Sequence, residues 1–167
     1  MSNDYAVSTP FLKLLEKQIY NEFTNSQQYY AIATHFAVER LPQLATFYYN
    51  QAEGEREHAL KILQYFVDRG VHVQVPGAGE VRNEFDTARD AIALALDLER
   101  AVTDQVSTLA ATARTEGDYL GEQFLWGFLA EQREEEKTAI TLLRVAERAG
   151  DNMFDLEEFM ARHINSS

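Results

Sequence analysis

Residues 71–86 read VHVQVPGAGEVRNEFD, and the length of this stretch decides the topology of the chain. Pro76, Gly77 and Gly79 interrupt it, so it is a connection and not a helix. Sixteen residues, extended at about 3.3 Å each, span roughly 53 Å. The helical segments on either side run to about 28 residues, or roughly 42 Å at 1.5 Å per residue. The connection can therefore travel the full length of a bundle and leave its two flanking helices parallel. A structureless loop this long needs such a reason inside a compact fold. The two other long-helix turns have only a few residues, and each forces an antiparallel hairpin. The expected architecture is all-α: a four-helix bundle with one long crossover connection and a short C-terminal fifth helix.

The helices read outward from this crossover. Thr9 and Pro10 form an N-cap and first helical position, followed by Leu12, Leu15, Ile19, Ser26, Tyr29, Ala33 and Phe36 at helical spacing. Pro42 ends that helix near Arg40. The second runs from about Pro42 to Arg69 on Leu44, Tyr48, Ala52, Ala59, Ile62 and Phe66, with Gly70 placed to cap it. Thr87 with Asp90 opens the third, on Ile92, Ala95, Val102, Val106, Leu109 and Ala113. Gly117 and Asp118 stop and restart the chain, and the fourth helix uses Phe124, Phe128, Thr138, Leu142 and Val145 before Gly150. Asn152 opens the short fifth, whose stripe is Phe154, Leu156, Phe159 and Met160. Little bundle surface remains after Gly150, so this stripe is expected to pack against symmetry mates.

Composition narrows the function. The 167 residues suit a single domain, 1–167, with a well-buried core. A formal charge of −12 argues against nucleic acid as a partner and suits attraction of cations, although acidity also serves solubility. No cysteine is present, which removes disulfides, thiolate metal sites and iron–sulfur clusters. No apolar run approaches the roughly 20 residues of a membrane span, and MSNDYAVSTP does not read as a secretory signal. The expected location is cytoplasmic, with no membrane partner.

The chemistry lies in polar residues at core positions. Adding 77 carries Glu22 to Glu99, Glu55 to Gln132 and His58 to Glu135. Each lies on an apolar stripe near mid-helix, so all should meet at one depth. Several buried carboxylates need compensation, because each desolvated charge costs several kcal/mol. Almost no Lys or Arg lies on these faces, so cations must come from outside. Four Glu (22, 55, 99 and 135) with one His (58) suit divalent first-row metals such as iron or manganese, and a carboxylate able to bridge suits two ions.

NEFTNSQQYY (21–30), EREHA (55–59), LDLERAVTDQV (96–106) and EQREEEKTA (131–139) together resemble a bacterial non-haem ferritin over essentially the whole chain. The resemblance implies a ferritin-like fold and an iron (Fe2+/Fe3+) di-iron centre with ferroxidase activity. Glu22, Glu55 and His58 would hold one iron, and Glu55 with Glu99 a second. Glu135 and Gln132 would assist the second, and Tyr29 would stand beside it. Dioxygen or peroxide would oxidise Fe(II), and Fe(III) mineral would be stored in a homo-oligomeric shell of 24 subunits.

The chain departs from that family at one place. Relatives often carry a third iron site built from a helix-two Glu and two Glu of helix four. Glu131 and Glu134 match the latter pair, but Gly54 stands where the former would be, and Glu53 points about 100° away. Glu122 matches a channel-lining position of related shells, or is an ordinary surface Glu complementing the helix dipole. His35, His72 and His163 have no ligand partners at helical spacing and read as surface or satisfied core residues.

Competing readings are a haem-type bacterioferritin, a rubrerythrin-like di-iron peroxidase and a catalytically silent shell subunit. The first takes its haem from a methionine on the bundle. Here the methionines are Met1, Met153 and Met160, and position 135 is Glu where that family has His, so no haem is expected. The second usually carries a module with four cysteines. The ligand set speaks against the third.

Overall fold

The computed structural model describes residues 9–166. Its four long helices are α1 (Pro10–Val38), α2 (Pro42–Asp68), α3 (Ala88–Thr115) and α4 (Tyr119–Ala149), followed by α5 (Met153–Phe159). Side chains cap the starts of α1, α3, α4 and α5: Thr9, Thr87, Asp118 and Asn152 each accept from a backbone N–H three residues on. Gly70, Gly117 and Gly150 take the left-handed conformation, at φ 66°, 72° and 57°, where the chain leaves α2, α3 and α4. Arg40 adopts φ 61° in the tight turn before Pro42 without being glycine.

The crossover runs alongside α1. Gln74 N–H donates to Glu16, Gly79 N–H to Thr24 Oγ1, and Arg82 exchanges two bonds with the Gln28 amide. Phe85 then meets His35 edge to face. Positions 74 to 85 thus climb α1 from Glu16 to His35, and α3 begins where α2 began. Leu44 and Ile92 accordingly share one apolar cluster, while Phe66 and Ala113 share another, so α2 and α3 are parallel. The bundle is the one-crossover arrangement expected from residues 71–86.

Two clusters fill the interior, one at each end. The first holds Ile32, Phe36, Leu44, Tyr48, Ile92 and Leu142, and the second Phe11, Leu15, Ile62, Phe66, Val106 and Leu125. The polar residues of the repeat sit between them.

The fifth helix departs from expectation. Leu156 and Met160 are fully buried in the chain's own first cluster, and Phe159 packs against it, so most of the stripe needs no symmetry mate. Glu157 accepts from the backbone N–H groups of Gln43 and Leu44 at 3.0 and 2.9 Å, supplying the cap that Leu41 cannot give α2. A π-helical turn, Met160–Ile164, brings the Asn165 amide to Gln43. The N-terminus of α2 was the uncovered surface. Only Phe154 of the stripe, 89% exposed, is left for another molecule.

Candidate metal centre

Glu22 on α1, Glu55 and His58 on α2, Glu99 on α3 and Gln132 on α4 converge at mid-bundle. Both carboxylates of the first trio are buried, and one ligand atom from each of Glu22, Glu55 and His58 lies within 4.8 Å of the others. His58 Nδ1 stands 3.9 Å from Glu22 Oε2 and 3.8 Å from Glu55 Oε2, beyond hydrogen-bond reach of either. Those two oxygens are buried and accept nothing from any described residue. Three ligand atoms therefore gather around one point, and the two carboxyls can bond to each other only when one of them carries a proton. An unsatisfied buried carboxylate oxygen costs on the order of 1–3 kcal/mol or more. A divalent cation relieves that cost for both at once, so the trio fits a metal ion.

The rest of the centre is held from several sides. Gln18 donates to the other oxygen of Glu22 at 3.0 Å and to Gln105 Oε1 at 3.0 Å. Tyr29 donates its hydroxyl to Glu99 Oε1, and Gln132 donates to Glu99 Oε2 at 2.7 Å and to the Glu99 carbonyl at 2.8 Å. Tyr29 stacks on Tyr48 at 5.9 Å between ring centres. Gln132 is thus a support of Glu99, and Tyr29 is in direct contact with it. Glu135 is half-buried and accepts from Gln51 at 2.7 Å. Glu131 is exposed, with Oε2 2.7 Å from His58 Nε2 and Oε1 3.7 Å from Lys61. Glu134 pairs with Lys137 on the surface, and Glu53 is taken by Tyr30 and Arg56.

Burial dominates the electrostatics. It drives Glu22 well above the usual carboxylate range, and the nearby Glu55 charge adds to it. Glu55 is pushed up to about 8, by burial first and then by the charges of Glu99, Glu135 and Glu131. Burial also raises Glu99, against the opposing pull of its bonds from Tyr29 and Gln132. Burial thus favours the neutral forms of Glu22, Glu55 and Glu99, and cations compete with protons for the same oxygens.

A model of the ferritin-like domain matches residues 12–149. Over 157 residues the chain is 55% identical to Ferritin BfrB of Mycobacterium tuberculosis, covering 94% of this chain and 87% of that one. The chain belongs to the ferritin family. It is also 34% identical to a bacterial non-heme ferritin of Staphylococcus epidermidis, over 95% of this chain and 98% of that one. Its backbone matches an open-pore ferritin from the archaeon Archaeoglobus fulgidus with a TM-score of 0.87 at 25% identity, covering 93% and 96% of the two chains.

Several supports of the centre escaped sequence reasoning. Gln18 lies one turn before Glu22 and is itself buried, so a polar residue on the same core stripe was the available signal. Gln51 sits one turn before Glu55 in the same way. Glu122 is buried, 6% exposed, and bound by Arg114 Nε at 2.9 Å, so within this chain it is not an ordinary surface Glu. Met160 is locked in the core and Met153 packs against it, while Met1 lies outside the described residues. His35 packs between Phe36 and Phe85, His163 leans on Phe159, and His72 is exposed. Among the described residues no helix is long and apolar enough to cross a membrane.

Proposed function

We propose that this chain is an iron-storage ferritin with ferroxidase activity, with residues 1–167 acting as one domain in a cytoplasmic shell of 24 copies. The observation that carries the catalytic part is the convergence of one ligand atom each from Glu22, Glu55 and His58 within 4.8 Å of one another. Fe(II) is the substrate. Glu22, Glu55 and His58 take one ion, and Glu55 with Glu99 a second, with Glu135 and Gln132 assisting at that second position. Gln18, Gln132 and Tyr29 hold carboxylates in place, and preorganised ligands lose little freedom when an ion enters. Entry of cations expels the protons held by Glu22 and Glu55.

Two Fe(II) ions give up two electrons in turnover. Dioxygen accepts them with two protons and leaves as peroxide, or peroxide accepts them with two protons and leaves as water. The Fe(III) product binds oxygen ligands and hydrolyses readily, which suits its transfer to a mineral store. The anionic, water-poor centre favours the higher charge of Fe(III) over Fe(II) and so assists the loss of the electron.

The test is the double substitution Glu22→Ala with His58→Ala, followed by oxygen consumption on adding Fe(II). Fast oxidation should vanish while helicity and assembly persist, because the apolar clusters at the two ends of the bundle are untouched. An unchanged initial rate would overturn the assignment.

A further inference from the structure

His58 offers two nitrogens, and only an unprotonated one can bind a cation. Which nitrogen carries the proton is set by the hydrogen bond that the other makes. Nδ1 faces Glu22 and Glu55 at 3.9 and 3.8 Å, too far for either to accept a proton from it. Nε2 faces Glu131 Oε2 at 2.7 Å, a distance typical of a charge-assisted hydrogen bond. Lys61 lies 3.7 Å from the second oxygen of Glu131, and the Phe128 ring meets the imidazole edge to face. A groove of about 190 Å³ between α2 and α4 is lined by Lys61, Phe124, Gly127, Phe128 and Glu131.

We propose that Glu131 is the positioning residue of the centre: it accepts the Nε2 proton of His58, and so fixes the tautomer and ring angle that present Nδ1 to the metal. This rests on the metal-centre reading above, and it removes Glu131 from the ligands of a third ion. Gly54 explains why Glu131 is free for this work. A Cβ at Gly54 would meet nothing among the described residues within 4 Å, and no carboxylate stands at position 54 itself to share an ion with Glu131.

The experiment uses full-length, metal-free protein and Co(II), which binds such sites without being oxidised under anaerobic conditions. Calorimetry of Glu131→Ala should show the tighter site weakened by about 10–100-fold, with the number of bound ions unchanged. Glu131→Gln keeps a carbonyl acceptor and should recover most of the affinity. Solid-state NMR of protein with ¹⁵N-labelled histidine, assigned by loss of the His58 signals in His58→Ala, gives a readout independent of metal. The native ring should carry its proton on Nε2 alone, Glu131→Ala should show a mixture, and Glu131→Gln should restore the native pattern.

Loss of one bound ion in Glu131→Ala would make Glu131 a ligand and overturn the proposal. Unchanged affinity, or an unchanged ring signature, would overturn it as well. A native protein that binds no Co(II) yet shows the Nε2–H ring would instead sink the metal-centre reading, and with it the purpose assigned to Glu131.

Discussion

Glu55 is held near 8 by its surroundings, and Glu22 and Glu99 lie above their ordinary value of 4.5. A carboxyl raised in the folded state keeps a proton that the unfolded chain releases. Its contribution to stability is complete below about 4.5 and is lost as pH rises through 8. The metal-free protein should therefore weaken from pH 5 to pH 8.5, with Glu55 alone contributing on the order of a few kcal/mol. Glu55→Gln should flatten that slope. Urea midpoints at both pH values check this, and equal slopes in the two proteins would refute it. Gly54 permits a second test at this scale. An added Cβ meets open space, so Gly54→Ala should stabilise α2 by up to about 1 kcal/mol. Gly54→Glu should add a weak third ion to the two expected per chain, as counted by anaerobic Fe(II) calorimetry. The glutamates of the centre were legible because each breaks an apolar stripe. Their amide supports, Gln18 and Gln51, were harder to see, since a glutamine at a helix position is compatible with either face.

At the scale of elements, the boundaries followed from local chemistry. Thr9–Pro10, Thr87, Gly117–Asp118 and Gly150 each do in the structure what their backbone preferences dictate. The fifth helix differs from its sequence expectation for a physical reason. Its partner surface is the start of α2, where Leu41 has no side chain able to cap, and periodicity along one helix says nothing about a vacancy on another. Glu157→Ala should cost about 1 kcal/mol, because two backbone N–H groups lose their acceptor. Leu156→Ala should cost about 2–5 kcal/mol through the cavity it leaves. Denaturant titration measures both. Losses under about 0.3 kcal/mol would mean that the α5 docking contributes little to the bundle.

At the scale of the molecule, surface left uncovered points to assembly. Tyr119, Leu120 and Trp126 stand 57–71% exposed along the first turns of α4, and Phe154 is 89% exposed beyond its end. Light scattering should give a mass many times 19.1 kDa. Trp126 is the chain's one tryptophan, so its emission should shift to the red when the assembly is dissociated. Trp126→Asp should yield smaller species, and a monomer or dimer of the native protein would rule out a shell. Within each subunit, the division of the interior has its own consequence. The two apolar clusters anchor the ends of the bundle, while its middle is laced by carboxylates that repel one another as they lose protons. Helices commonly fray from their tips, but here the ends are clamped and the waist is the soft part. Amide exchange in the metal-free protein should be faster around Glu55 and Glu99 than around Leu44 or Leu109. Loading with cations should reverse that order, turning the weakest span of the bundle into a rivet between two otherwise separate cores.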